Sequence, residues 1–393
     1  MSFSFHNPVA VRFGRGCASA LAGSTDSATP AASAAAASSS AVSLAAALPK
    51  PALLVAGRAT LQRTGLDALV DDKTIFACPG VPPNPTPAVI DAGAARAVEL
   101  GVATIVGIGG GSAQDAAKSM AVMVGQATSI RDFQARCKTG EEFTRQVKLF
   151  QVPTTAGTGS EVTRWASVWS EAGAKSSMDH ASGYADEAWV DPAFTDGMNA
   201  RLTAATGLDA MGHAMESLWG VHHNPVSDAH ATAALSLVRR HLLPCVQADG
   251  APDIADHRDA MALAALHAGL ALSNTRTAAA HALSYSMTGD HGLDHGLAVG
   301  LLCRGLLPVN AAVVPERVEH LLNALGVDSV QGAQAFIDTI FRAAGMSPSL
   351  QSFGISAAAH GAIVDTAAGA DRLANNPGTL DGPALTAILE SIA

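Results

Sequence analysis

Aromatic side chains are scarce in this 393-residue chain: Phe, Trp and Tyr make up 4%, with only two tyrosines. Its cores must be filled by Ala, Leu and Val, drawn from a hydrophobic content of 48%. Cysteine is sparse too. Cys17, Cys78, Cys137, Cys245 and Cys303 are scattered and form no CxxC, which excludes a cysteine zinc knuckle and fits a reducing compartment. Basic charge is in deficit, at a formal net charge of −10. A phosphate-backbone binder needs a clustered basic surface, so nucleic acid is not an expected partner. No uninterrupted apolar run of about 20 residues is present, and Met1–Gly16 has no apolar signal-peptide core. No membrane span and a cytoplasmic location are therefore expected. A chain this long exceeds one small core, so two or three domains are expected.

Residues 24–48 are Ala/Ser low complexity, which reads as a linker, a surface loop or an Ala-rich helix. From Pro51 to about Asp191, short β-rich runs alternate with helix-period segments. The runs are Ala52–Ala56, Thr74–Ala77, Thr104–Ile108, Val147–Val152 and Ala188–Val190; the helical segments include Pro87–Leu100 and Ser112–Val124. Such alternation predicts a parallel sheet covered by helices. Pro79–Pro87 must be extended loop, because each proline pushes its predecessor out of helix. After Asp191-Pro192 the chain becomes Ala/Leu-rich and helical, over Thr203–Trp219, Ser227–Cys245, Ile254–Leu272, His295–Leu307, Pro315–Leu325 and Gly332–Ala344. The fold class expected is an α/β domain over 1–195 followed by an all-α domain over 196–393.

Two glycine-bearing turns carry chemistry. The strand at Thr104 runs into Gly109, Gly110, Gly111 and Ser112, then into a helix containing Asp115. Glycines admit a phosphate close to the backbone, and the helix N-terminus offers unpaired N–H groups. Ser112 is placed to cap that helix and Asp115 to lie in its first turn. The pattern is neither a Walker loop nor GxGxxG, so by itself it names no nucleotide. A second strand leads into Thr154, Thr155, Gly157, Thr158, Gly159 and Ser160, whose hydroxyls and N–H groups suit ribose, phosphate or amide.

In the helical half, Asp209 and His213 are four apart and share one helix face. His281 and His295 flank an expected helix break at Gly289–Gly292. One carboxylate and three imidazoles suffice to enclose Fe(II) or Zn(II). His291, four before His295, competes as a ligand. Any one such pair is more often a surface or core feature, so the weight lies in their combination.

These pieces occur together and in order, and with them the chain resembles the iron-containing alcohol dehydrogenases over nearly its whole length. The motifs are Gly109 to Lys118, Pro153 to Thr163, Gly207 to Glu216 and His295-Gly296. The resemblance implies a Rossmann-like N-terminal domain, a helical C-terminal domain and a cleft holding NAD or NADP and a metal, a layout shared with dehydroquinate synthase. It implies metal ligands at Asp209, His213, His281 and His295, a pyrophosphate turn at Gly109–Ser112, and cofactor contacts at Thr154, Thr155, Thr158 and Lys175. A small aldehyde or alcohol is the implied substrate, and a homo-oligomer, a dimer, the implied assembly.

The chain departs from the family pattern in three ways. Where many members have a histidine four residues after the third ligand, it has Tyr285. Where a strand-end acid often selects NAD, it has Gly57 followed by Arg58, so NADP acceptance is expected. The Ala/Ser tract looks like an insertion. Ser160 to Trp169 and Glu216 to Ser227 resemble the phosphonate-associated subgroup, which reduces phosphonoacetaldehyde to 2-hydroxyethylphosphonate. Arg164 is then the expected partner of the phosphonate, since guanidinium suits tetrahedral oxyanions. The alternatives are a maleylacetate-type or simple-alcohol reductase, a dehydroquinate synthase-like lyase, and an inactive binding protein.

Overall fold

The computed structural model describes residues 2–18, 44–78, 80–171, 175–251 and 254–393. The Ala/Ser tract lies outside them as far as residue 43; its end forms a single helical turn, α1 (Leu44–Ala47), with Leu44 buried.

The strands are β1 (Ala10–Phe13), β2 (Ala52–Val55), β3 (Ile75–Ala77), β4 (Thr104–Gly109), β5 (Lys148–Pro153), β6 (Trp165–Trp169), β7 (Lys175–Asp179) and β8 (Glu187–Val190). Six of them form one sheet in the order β1-β8-β5-β4-β2-β3, and every pairing in it is parallel. The middle strands β2 and β4 are buried at every residue, as expected of a sheet covered on both faces. The helices α2 (Arg58–Thr64), α3 (Pro87–Glu99), α4 (Gly111–Met123) and α5 (Ile130–Cys137) complete this half. The chain steps from β2 to β3 on one side and to β4 on the other. Their carboxyl ends therefore form a switch-point crevice, where ligands bind in open α/β sheets.

Three strands lie outside the runs expected from sequence. β1 carries no strong signal in AVRF, is exposed throughout, and joins the sheet only by pairing with the distant β8. β6 and β7 form a separate antiparallel pair packed on α4.

The helical half comprises α6 (Ala200–Trp219), α7 (Pro225–Ala248), α8 (Ala255–Thr275), α9 (Ala279–Gly289), α10 (His295–Val313), α11 (Pro315–Leu325), α12 (Val330–Ala343), α13 (His360–Ala368) and α14 (Gly382–Glu390). Asn199 caps α6 by accepting from Leu202 N–H. Asn224 and Ser227 form a capping box at α7, with Pro225 at its first position, where a missing N–H costs nothing. α10 is long and apolar enough to cross a membrane by composition, but it packs inside this half against α6, α9 and α11. All five cysteines are free thiols.

The halves meet where Gly159 lies against Gly269 of α8. A Cβ on Gly159 would stand 2.4 Å from Gly269 Cα, so only glycine permits this seam. Asn7 also donates to Val162 O at 2.7 Å and to Ser273 Oγ at 3.4 Å, linking the N-terminal segment to both halves.

Candidate metal centre and cofactor cleft

α6, α9 and the start of α10 bring four side chains to one point. Asp209 Oδ1 lies 3.8 Å from His213 Nε2, 3.6 Å from His281 Nε2 and 3.7 Å from His295 Nε2. Asp209, His281 and His295 also have ligand atoms within 4.8 Å of one another; His213 is not in that set and joins it through its approach to Asp209 Oδ1. Metal–ligand bonds of about 2.1 Å in tetrahedral array separate ligand atoms by about 3.4 Å, so the spacing fits one divalent cation. The polar accounting agrees: Asp209 Oδ1 and His281 Nε2 are buried with no hydrogen-bond partner. Buried polar atoms rarely go unpaired, and a cation supplies what both lack. The residues present therefore fit a metal.

Neighbouring groups tune these four side chains. Burial pushes the Asp209 carboxyl up, but the three imidazoles outweigh it and hold it well below the usual carboxylate range. Burial lowers His213 to about 4. It also lowers His295 well below its ordinary value, with the Lys175 charge adding to the effect. His281 goes the other way: against burial, Glu216 and Asp209 raise it. Glu216 Oε2 is 2.6 Å from His281 Nδ1, and its carboxylate accepts the N–H groups of Ala278 and Ala280 at 2.8 and 2.7 Å. It thereby fixes the ring so that Nε2 faces the other ligands, as carboxylates behind metal-bound imidazoles commonly do. Sequence reasoning assigned Glu216 no role, although 209, 213 and 216 form one helical stripe that identifies it. His291 is exposed in the turn before α10 and is not in the cluster.

The same cavity, about 280 Å³, is lined by Gly111, Ser112, Asp115 and Thr158 on one side and by Asp209, His213, His281 and His295 on the other. Gly109 turns the chain at φ 148°. α4 starts two residues earlier than expected of a Ser112 cap: Gly110 is its N-cap and no side chain caps it. Ser112 lies inside the helix and accepts from Asn84 N–H at 3.3 Å. Asp115 falls beyond the first turn and accepts from Ser160 Oγ and Ser167 N–H, each at 2.8 Å. The uncapped N–H groups leave α4 open to an anion. Thr154 N–H donates to Gly109 O at 3.0 Å. A Cβ on Gly110 or Gly111 would crowd Thr155 Oγ1 at 3.3 Å or Thr158 Cγ2 at 3.1 Å, so the two turns pack face to face. Gly57 lies apart from this cavity, capping α2 with no side chain. Arg58 beside it is exposed.

Tyr285 and Lys175 both line the cavity. Lys175 Nζ lies 4.5 Å from the Tyr285 ring centre and Arg372 Cζ 5.4 Å from it. Desolvation, with Arg372 adding to it, presses Lys175 down to about 8. Arg164 does not join them. Its Nε donates to Asp179 Oδ1 at 2.7 Å, its guanidinium lies over Trp165, and it faces a second cavity beside Phe3 and His222. β6 begins one residue after it and turns it outward. Arg372 and Arg276, which no local sequence pattern singled out, line the central cavity instead.

Comparison with known proteins adds to this geometry. The profile described as "Iron-containing alcohol dehydrogenase" matches residues 32–192. The profile described as "Fe-containing alcohol dehydrogenase family, C-terminal" matches residues 203–393. Long-chain-alcohol dehydrogenase 1 of Geobacillus thermodenitrificans is 37% identical over 57% of this chain and 56% of its own length, so the chain spans little more than half of that relative. Sulfoacetaldehyde reductase of Bilophila wadsworthia is 30% identical over 75% of this chain and 78% of its own. The crystal structure of sulfoacetaldehyde reductase from Bifidobacterium kashiwanohense in complex with NAD+ superposes with a TM-score of 0.85. It is 26% identical and covers 100% of this chain and 99% of that one.

Proposed function

The chain belongs to the iron-containing alcohol dehydrogenase family, and from that premise we propose that it moves a hydride between NAD(P)H and a small aldehyde. The finer reading is reduction of phosphonoacetaldehyde to 2-hydroxyethylphosphonate. One observation carries the proposal: three imidazoles ring one carboxylate oxygen in a cavity whose opposite wall is the glycine turn. Support for an aldehyde bearing a tetrahedral oxyanion comes from the similarity to enzymes described as sulfoacetaldehyde reductases.

In this reading Asp209, His213, His281 and His295 hold Fe(II) or Zn(II), which supplies Lewis acidity toward a carbonyl oxygen. The nicotinamide supplies the hydride. The chain's own residues bind and orient. Glu216 keeps His281 in its ligating tautomer. Gly109 to Ser112 and the free end of α4 hold the pyrophosphate. Thr154, Thr155 and Thr158 shape the cofactor channel, and Lys175 holds the cofactor's sugar side. Tyr285 Oη donates the proton that the reduced substrate oxygen takes up. Arg58, exposed and without a carboxylate within salt-bridge distance among the described residues, accommodates a 2′-phosphate beside Gly57. Residues 1–195 form the cofactor-binding half and 196–393 the metal-binding half. The edge strand β1, with Val11 and Phe13 at 38% and 40% exposure, supports pairing with a second copy, because unpaired edges invite strand addition.

The test is a panel of aldehydes, phosphonoacetaldehyde included, with NADH and NADPH and with Fe(II) or Zn(II) restored. The expected result is net loss of reduced-nicotinamide absorbance, abolished by chelation. Product formation with no net change in that absorbance would mean a lyase of the dehydroquinate synthase kind.

A further inference from the structure

We propose that Arg372 is the anion seat of this cavity, the residue that receives the tetrahedral oxyanion at the tail of the aldehyde substrate. The proposal rests on the reading that the cavity reduces an aldehyde.

Arg372 is a half-buried guanidinium in the wall of the cavity that holds the four ligand side chains. Its one hydrogen bond among the described residues runs from Nη2 to Ser177 Oγ at 2.9 Å. Arginine carries five N–H donors, so most of its capacity is unspent. No carboxylate stands within ion-pair distance of it among the described residues, whereas neighbouring Arg276 is matched by Asp179 at 3.3 Å and Asp371 at 3.2 Å. Arg276 and Lys175 repel it, and the more distant Asp179 and Glu216 carboxylates, neither within ion-pair distance, offset them only in part. Desolvation and the Arg276 charge press it down to about 10. A cluster of like charges in a partly desolvated wall is unfavourable unless an anion joins it.

The surrounding backbone is built to hold this arginine. Arg276 sits at φ 66° and ψ 170°, a strained conformation that residues other than glycine rarely adopt. Asn375 Nδ2 clamps that strained corner, donating to the carbonyls of Thr275, Arg276 and Thr277 at 2.9, 3.3 and 3.1 Å. Asn375 and Arg372 share one short helical turn, Asp371–Asn375, and Asp371 holds Arg276 from the same turn. The strained corner and the turn thus lock each other, and Arg372 is fixed over the Tyr285 ring. A planar fork held in place suits a phosphonate or sulfonate. Arg164, the candidate from sequence, is already spent on Asp179 and faces another cavity.

The experiment compares wild type with Arg372→Met and Arg372→Lys. Steady-state kinetics would use phosphonoacetaldehyde, sulfoacetaldehyde and uncharged propanal, and calorimetry would follow binding of methylphosphonate and methanesulfonate. Arg372→Met is expected to lower the ratio of kcat/KM for anionic over uncharged aldehyde by about 100-fold, mainly through KM, and to abolish binding of both anions. Arg372→Lys should recover part of each. A larger loss for the phosphonate than for the sulfonate identifies the dianion as the natural tail, and equal losses identify a general oxyanion seat. The proposal is overturned if all three aldehydes fall together, if the ratio holds, or if KM for NAD(P)H is what rises. If wild type reduces no aldehyde, the functional reading fails, and the calorimetry alone still decides the seat.

Discussion

Glu216 shows how much of the site's chemistry rests on a single residue behind the ligands. It is fully buried, and its two oxygens serve His281 and two backbone N–H groups at once. Glu216→Gln places an amide where only acceptors fit. Metal affinity is expected to fall 10–100-fold, as is typical when such an orienting group is lost. Metal titration monitored by calorimetry would show it, and unchanged affinity would mean that His281 needs no orienting. Lys175 gives the pH dependence. Its ammonium is pressed down to about 8 from 10.5, so it is a cation in the cavity below pH 8 and neutral above. Binding of methanesulfonate, whose charge is constant, should therefore weaken as pH rises from about 7 to about 9. Lys175→Met should bind at pH 7 about as weakly as wild type does at pH 9, and should lose that slope. The proposed ligands stood out from the many other histidines of that half because 209 and 213 share a helix face and because 281 and 295 flank an expected helix break. Arg372 was not: it lies in an irregular turn, and its meaning depends on Arg276 and Lys175, remote in sequence and brought together only by folding.

α6 and α10 cross closely on glycines, and of these Gly296 lies beside the proposed ligands Asp209 and His295. A Cβ on Gly296 would lie 1.9 Å from Ala205 O and 2.9 Å from Asp209 Cβ. Gly296→Ala must push the start of α10 away from α6 and draw His295 off Asp209. The cost of such overpacking is about 1–3 kcal/mol or more, and metal content should fall together with the melting temperature. Gly361 in α13 has open space around its would-be Cβ, so Gly361→Ala should leave metal content unchanged and hold or slightly raise the melting temperature; an equal loss in the two variants would contradict the close crossing. The parallel strands and long helices were legible because their periods are clean and their lengths ordinary. β1 was not, since its strand character comes from β8, more than 170 residues away. The β6–β7 pair was hidden by its polar residues, which line the cavity rather than a core: Ser167, Lys175 and Ser177. The start of α4 shifted because Gly109, free to take φ 148°, lets the chain turn into helix before Ser112.

Across the whole molecule the proposed metal ligands lie on three helices of one half, while the proposed nucleotide turn belongs to the other, and the halves touch at the Gly159–Gly269 contact. A cation that binds only the folded state stabilises it by mass action, about 4 kcal/mol at a thousandfold excess over Kd. Chelation should therefore lower the melting temperature and speed hydrogen exchange first at the α9–α10 junction, leaving β2 and β4 protected; uniform exchange would contradict that picture. The two-half division was legible from the change of pattern after Asp191. How the halves face each other was not, because the contacts between them, the Gly159–Gly269 approach and the Asn7 and Arg276–Asp179 links, join residues remote in sequence. The most direct test of the central claim is X-ray absorption at the metal edge of the Fe(II)- or Zn(II)-loaded protein, with Asp209→Ala alongside. Three imidazoles and one carboxylate oxygen are expected at about 2.0–2.2 Å, with the oxygen lost in the variant. A metal bound without imidazoles, or one whose coordination ignores Asp209, would contradict it.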